Sequence, residues 1–155
     1  MNEFKIKDTN LLLKDVANFE LNTTEELGYF KIDFLHLTIY SFFKSQAEIN
    51  ELLSKEPDWN ILLVPSCQHK LFQLSNHGEL LSKLKPKSIE ELADVIALIR
   101  PGKRHLVPLY EKSKQSARTL LWLKDESGYS FKKSHALGYA YVIWLQLHLI
   151  EQGKI

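Results

Sequence analysis

Three groups of residues could do chemistry. Lys132, Lys133, Ser134 and His135 run together as KKSH, just ahead of a long apolar helical pattern, and Tyr139 follows four residues after His135. The first amides of a helix are unsatisfied and its dipole is positive there, so added cations would suit an anion such as a phosphate. Positions i and i+4 put His135 and Tyr139 on one face. The plainer reading is a capped helix start with a solvated lysine pair and a packed tyrosine. Asp33 forms the second group. After a short strand, a lone aspartate reads as a helix N-cap or a solvated carboxylate. Arg100 opens the third group, RPGKRH, in which Lys103, Arg104 and His105 form a basic cluster behind a helix C-terminus. Arg104, Arg118 and Lys124 could add to that charge or stand as solvated surface. Cys67, His69 and His77 lack a second clear ligand pair and make a poor metal pattern.

The elements that must position these groups are mainly helical. The central stretch is LFQLSNHGELLSKLKPKSIEELADVIALIRPG, Leu71 to Gly102. It reads as an apolar strand or turn (LFQL), a polar break, a short helix (ELLSKL), a Pro-bounded linker and a capped helix. Ser88 and Glu91 have capping-box spacing. Leu92, Val95, Ile96 and Ile99 fall on one helical face, and Pro101-Gly102 ends it. Upstream, NFEL is a candidate short strand and Tyr29 to Ile32 a buried one. From Phe34 the pattern turns helical and is expected to continue through Leu53, broken by Pro57-Asp58. Trp59 to Val64 reads as a strand or buried turn. Leu106 to Glu111 and Ala117 to Lys124 read as helices. Ser134 is expected to open a C-terminal helix ended by Gly153, apolar on much of its circumference, so either centrally buried or docked on a partner. Trp122, Trp144, Tyr139 and Tyr141 at helical spacings are expected in the core. The expected fold is therefore mainly α with a small β element near the N-terminal third.

Composition narrows the class. A chain of 155 residues with 45% hydrophobic and 25% charged residues suits one globular domain, residues 1–155, without a linker. The formal net charge of +1 gives no global pull toward nucleic acid, so any DNA contact must come from a local patch. A lone Cys67, no signal-peptide layout and no membrane-length apolar run point to a cytoplasmic protein. No Walker A loop, dinucleotide fingerprint, G-x-S-x-G or H-E-x-x-H occurs, which removes the common NTPase, dehydrogenase, hydrolase and metalloprotease readings.

Three segments, in order, resemble the bacterial C-family replicative polymerases, the DNA polymerase III alpha subunits. LFQLSNHG, LKPKSIEEL and ALIRPG resemble the family's V-F-Q-(L/F)-x-S-x-G, L-x-P-x-(S/T)-(F/I)-E-(D/E)-L and A-L-(Y)-R-P-G entry to the fingers. GYFKIDFLHL, led by ANFELNTTEELG, resembles the G-L-x-K-(F/I)-D-F-L-G-L strand at the end of the catalytic palm. GYSFKKSHALGYAY resembles G-Y-(G/S)-F-N-K-(S/A)-H-(A/S)-x-x-Y-(A/S). The resemblance runs from about Asn18 to about Leu149. It implies a miniature of the palm end (18–37) and the helical fingers (38–155), with internal deletions.

By that resemblance Asp33 holds a catalytic aspartate position that binds Mg²⁺, and Lys31 approaches the incoming nucleotide. Arg100, Lys132, Lys133, Ser134, His135 and Tyr139 face the nucleotide or the template-primer. The family's other two aspartates come from a P-D-(I/F)-D motif, and this sequence has no Asp-x-Asp. Asp8 and Asp15 have the wrong spacing. One carboxylate cannot hold a metal pair, so polymerase activity is not expected of this chain alone. His36 replaces the usual glycine. The basic triphosphate-holding segment expected after R-P-G is also missing. Two functions follow as expectations. The first is a replication-associated DNA- and dNTP-binding protein, one part of a split polymerase completed by a palm-bearing chain. The second is a repurposed fingers fold acting as a protein-interaction module. No membrane partner is expected.

Overall fold

The computed structural model describes residues 6–7, 16–17, 26–28, 37–123 and 131–155. The chain divides into two units, Met1–Leu37 and Thr38–Ile155. In the first unit, β1 (Ile6–Lys7) and β2 (Val16–Ala17) pair antiparallel, with Ile6 opposite Ala17 and Lys7 opposite Val16. Two residues a side are too few for an independent β element. The small β element expected within 18–37 is thus not supported. Its strand, Tyr29 to Ile32, lies outside the described residues, as do Lys31 and Asp33.

The second unit is helical. A 3-10 turn, Thr38–Phe42, is followed by α1 (Gln46–Leu53). This corrects the single helix expected through Leu53. Ser45 is extended (φ −156°) and its hydroxyl accepts the Glu48 amide at 3.3 Å, while the Glu48 carboxylate accepts the Lys44 amide at 2.9 Å. That pair satisfies the amides of a new helix start, so the chain restarts there. Trp59–Leu63 is a second 3-10 turn rather than a strand, because Asp58 Oδ1 accepts the Asn60 amide at 2.9 Å and curls the chain. α2 (Pro65–Gln68) and α3 (Gly78–Leu84) follow, joined by turns through LFQL, where no strand forms.

Ser88 caps α4 (Ile89–Leu98), accepting the Glu91 amide at 3.1 Å. Glu91 returns to the Lys87 amide at 3.0 Å, one residue before the reciprocal capping-box position. Every residue from Leu92 to Leu98 is buried, so α4 is the central rod of the core. A 3-10 turn at Pro101–Leu106 leads to α5 (Val107–Lys112) and the Ser113-capped α6 (Lys114–Leu121). The last helix, α7 (Lys133–Glu151), packs against α4 more extensively than any other pair of elements. Ala136, Ala140, Ile143 and Leu147 form its innermost stripe, each 0% exposed, at spacings of a single helical face. Lys132, not Ser134, is the residue that precedes the helix. Tyr141, expected in the core, is exposed, since it lies off that stripe. Trp144 is half-buried, donating to the Leu52 carbonyl at 3.2 Å.

Two side chains fix the connection between α2 and α3. Buried Gln68 donates to the Leu62 carbonyl at 2.8 Å, and its Oε1 occupies the space that a Cβ on Gly78 would need. The glycine of SNHG is therefore a close-approach position. Gln146 on α7 accepts the Phe72 amide at 2.7 Å and donates to the Lys70 carbonyl at 2.8 Å, which clamps the LFQL turn to the helix.

Candidate nucleic-acid interface

Arg100 lies just beyond the C-terminal end of α4, where that helix meets the start of α7. Its Nη2 donates to Gln73 Oε1 at 2.5 Å, and its guanidinium carbon sits 4.5 Å from the centre of the Phe131 ring. Phe131 stacks on Tyr139 (centroids 6.1 Å, 25° between planes), and Tyr139 meets Phe72 edge-on at 5.2 Å. One cluster therefore joins Phe72 and Gln73 from LFQL, Arg100 from RPG, and Phe131 and Tyr139 from the segment around KKSH. Cation and rings fix one another's orientation in such a stack. Gln73 is held at φ +60°, an uncommon conformation for a residue with a side chain. Arg100 Nε is buried without a hydrogen-bond partner.

Lys132, Lys133, Ser134 and His135 are all exposed beside this cluster, at the N-terminus of α7, where Lys132 supplies no side-chain cap. Lys132 and His135 each make an interaction, so they are not free ends. Arg104 and His105 are also exposed. Burial and the neighbouring charges of Arg104 and Arg100 hold the His77 imidazole below its ordinary range, which ties His77 electrostatically to this basic surface. The arrangement sets exposed cations and first-turn amides on a packed aromatic cluster in which Phe131 is buried. Cations and free helix-start amides are groups that hold phosphates.

The basic cluster after Pro101 divides by function. Lys103 is buried, its ammonium donating to the Leu120 and Leu123 carbonyls at 3.2 and 2.7 Å. It closes the C-terminal end of α6 and presents no charge to a ligand. Arg118, considered for the missing triphosphate contacts, is instead bonded through Nε to Asp94 Oδ2 at 2.6 Å. Tyr110 donates to the same oxygen at 2.8 Å. Burial pushes the Asp94 carboxyl up against the opposing pull of Arg118 and Tyr110. The same burial, with the bond to Asp94, pushes the Tyr110 phenol up. Asp94 sits mid-helix in an apolar face, and only that interruption of the pattern signals it in the sequence. Lys124 lies outside the described residues.

Across residues 8–133 the chain matches the family model of the bacterial DNA polymerase III alpha subunit finger domain. The chain belongs to this family. Among its relatives, the DNA polymerase III subunit alpha of Aquifex aeolicus (strain VF5) is 38% identical over 113 residues, 63% of this chain and 10% of that protein. The subunit from Borreliella burgdorferi is 29% identical over 118 residues, 67% of this chain and 10% of the relative. That from Thermus aquaticus is 27% identical over 112 residues, 63% and 9% of the two chains. This finger-domain chain spans about a tenth of the length of the curated relatives it matches. No solved structure matches it at a significant level.

The described residues of this finger-domain chain do not fit a Mg²⁺ pair by themselves. Among them no group of three or more His, Cys, Asp or Glu side chains could hold a metal ion. Asp33, the one carboxylate the resemblance assigns to metal, lies outside them. Among the described residues no helix is long and apolar enough to cross a membrane.

Proposed function

We propose that this finger-domain chain is a replication-associated module that binds DNA and nucleotide, and that it completes a split polymerase whose other chain carries the palm carboxylates. The supporting observation is the cluster of Gln73, Arg100, Phe131 and Tyr139, drawn from separate motif segments, beside the exposed Lys132–His135 turn. In this reading Lys132, Lys133 and the first amides of α7 receive phosphate. Ser134 and His135 add polar contacts at the same turn. Part-buried Tyr139 packs on the buried Phe131 ring beneath this turn, held by Arg100. Lys31 approaches the nucleotide and Asp33 supplies one carboxylate; the Mg²⁺ pair that stabilises phosphoryl transfer needs further carboxylates from the partner. Alone, the chain is inactive as a polymerase.

Reconstituted primer extension tests the split-enzyme part. With a palm-bearing chain supplied, Asp33→Ala abolishes extension. Normal extension by that variant contradicts the reading.

A second reading has its own support. Arg100 and Lys103 turn their charge inward, onto Phe131, Gln73 and helix carbonyls, as a repurposed fingers fold serving as a protein-interaction module would. In that case Lys132→Ala with Lys133→Ala leaves function intact.

A further inference from the structure

A second cationic groove lies at the opposite end of α4 from Arg100. It has a volume of about 230 Å³ and is walled by Trp59, Asn60, Leu63, Lys85, Pro86 and Lys87. Lys85 and Lys87 precede the Ser88 cap, and Arg100 follows the far end of a helix that spans about 15 Å. The groove is therefore separate from the Arg100 cluster.

Among the described residues neither the Lys85 nor the Lys87 side chain has an ion-pair partner, whereas Lys55, Lys83 and Lys114 are bridged to glutamates. The carboxylates nearest Trp59 in sequence are bonded to neutral donors and keep their charge, which confines phosphate to the Lys85–Lys87 edge of the groove. Glu56 accepts the Trp59 indole N–H at 2.8 Å, and Asp58 accepts both the backbone and the side-chain amide of Asn60. Trp59 is fixed on its other side by an edge-on contact with Trp144 at 5.3 Å and 86°. The indole thus contributes a wall that needs no ordering on binding.

Lys85 carries a second mark. It is the C-cap of α3 and takes the left-handed conformation, φ 43° and ψ 61°. Glycine occupies that position without steric cost, whereas a lysine there is strained. Residues held in such conformations cluster at ligand clamps.

We propose that this groove binds single-stranded DNA, with Lys85 and Lys87 on phosphates and Trp59 as the stacking platform for one base. The proposal rests on the nucleic-acid reading above and adds a site to it. A cavity of this size takes a base and not a duplex, and an aromatic wall flanked by lysines is how single strands are held without sequence preference. An acidic peptide would use the lysines but not the indole.

The test is fluorescence anisotropy of a labelled oligothymidylate with the purified chain across a salt series. The Lys85→Gly, Lys87→Ala double variant weakens binding roughly tenfold, and the slope of log K against log salt becomes shallower by about 0.7 for each phosphate no longer neutralised. Lys85→Gly alone raises the Tm while weakening binding, a combination that a purely structural lysine does not give. Lys112→Ala, at an exposed lysine outside both sites, keeps its oligothymidylate affinity. Unchanged affinity in the groove variant, with wild-type binding intact, overturns this inference and leaves the proposed function standing. Binding that falls in the Lys132→Ala, Lys133→Ala variant but not in the groove variant overturns it, placing the strand at α7. Binding of polyglutamate as tight as that of oligothymidylate of equal charge overturns it in favour of an acidic polypeptide. Failure of the wild type to bind either oligothymidylate or primer-template overturns both.

Discussion

Arg100 donates to Gln73 at 2.5 Å across 27 residues of chain, and the same guanidinium covers the Phe131 ring. This one side chain ties together the LFQL turn, the end of α4 and the approach to α7. Lysine lacks the planar fork and the stacking surface, so Arg100→Lys is not a conservative change. Arg100→Lys and Arg100→Ala both destabilise the fold, by about 1–3 kcal/mol in urea unfolding. Wild-type stability in Arg100→Lys would mean that the cluster does not hold these segments together.

Two groups remove stability as pH falls, in successive windows. The folded-state pKa of His77 is held below its unfolded value by burial and by Arg104 and Arg100. The unfolded chain therefore takes up the proton first, and stability falls as pH drops below about 6.5. His77→Asn flattens the curve there. A phosphate-bearing ligand beside Arg100 and Arg104 offsets their charge and moves the His77 titration up, which NMR reads directly. Burial works to raise the Glu91 carboxyl, but the bonds from Lys114 and the Lys87 amide outweigh it and hold it below the ordinary range. Its contribution is present above the unfolded value and is lost as pH falls through the lower folded one, so Glu91→Gln flattens the acid limb.

Gly78→Ala tests the close approach at the α2–α3 connection. The new Cβ would press on Gln68 Oε1, and Gln68 is buried with its amide committed to Leu62. The expected loss is about 1–3 kcal/mol, the cost of displacing a buried, bonded amide. A thermal melt equal to wild type would mean Gln68 has another place to go.

Lys103 separates structural from ligand-facing charge. Lys103→Ala strips the cap from the Leu120 and Leu123 carbonyls and destabilises by about 1.5–3 kcal/mol, while primer-template affinity below the melting range stays unchanged. Arg104→Ala has the reverse profile, since Arg104 is exposed. Exchange of those two profiles would contradict the division.

What the sequence made legible was local. The Ser88 cap, the buried face of α4 and its stop at Arg-Pro-Gly depend on neighbours a few residues apart, and they formed where the spacing put them. The long C-terminal helix was legible from its apolar content. Ser45-Gln46-Ala47-Glu48 carries the same cap signal as Ser88 to Glu91, yet the aromatic run before it suggested one unbroken helix. The internal use of Lys103 and the Asp94–Arg118 pair, 24 residues apart, depend on tertiary placement that no short-range pattern encodes. The site motifs were recognisable as a resemblance. Their meeting through Phe131 required α4 and α7 to be packed together first.

In the proposed function the Lys132–His135 turn beside Arg100 receives nucleic acid and nucleotide. The most direct measurement is fluorescence anisotropy of a labelled primer-template with this chain, over a salt series, with and without Mg²⁺ and the matching dNTP. The predicted result is salt-sensitive binding that the dNTP tightens and that Lys132→Ala with Lys133→Ala weakens. Absence of binding at low salt, or binding indifferent to those two lysines, would contradict it.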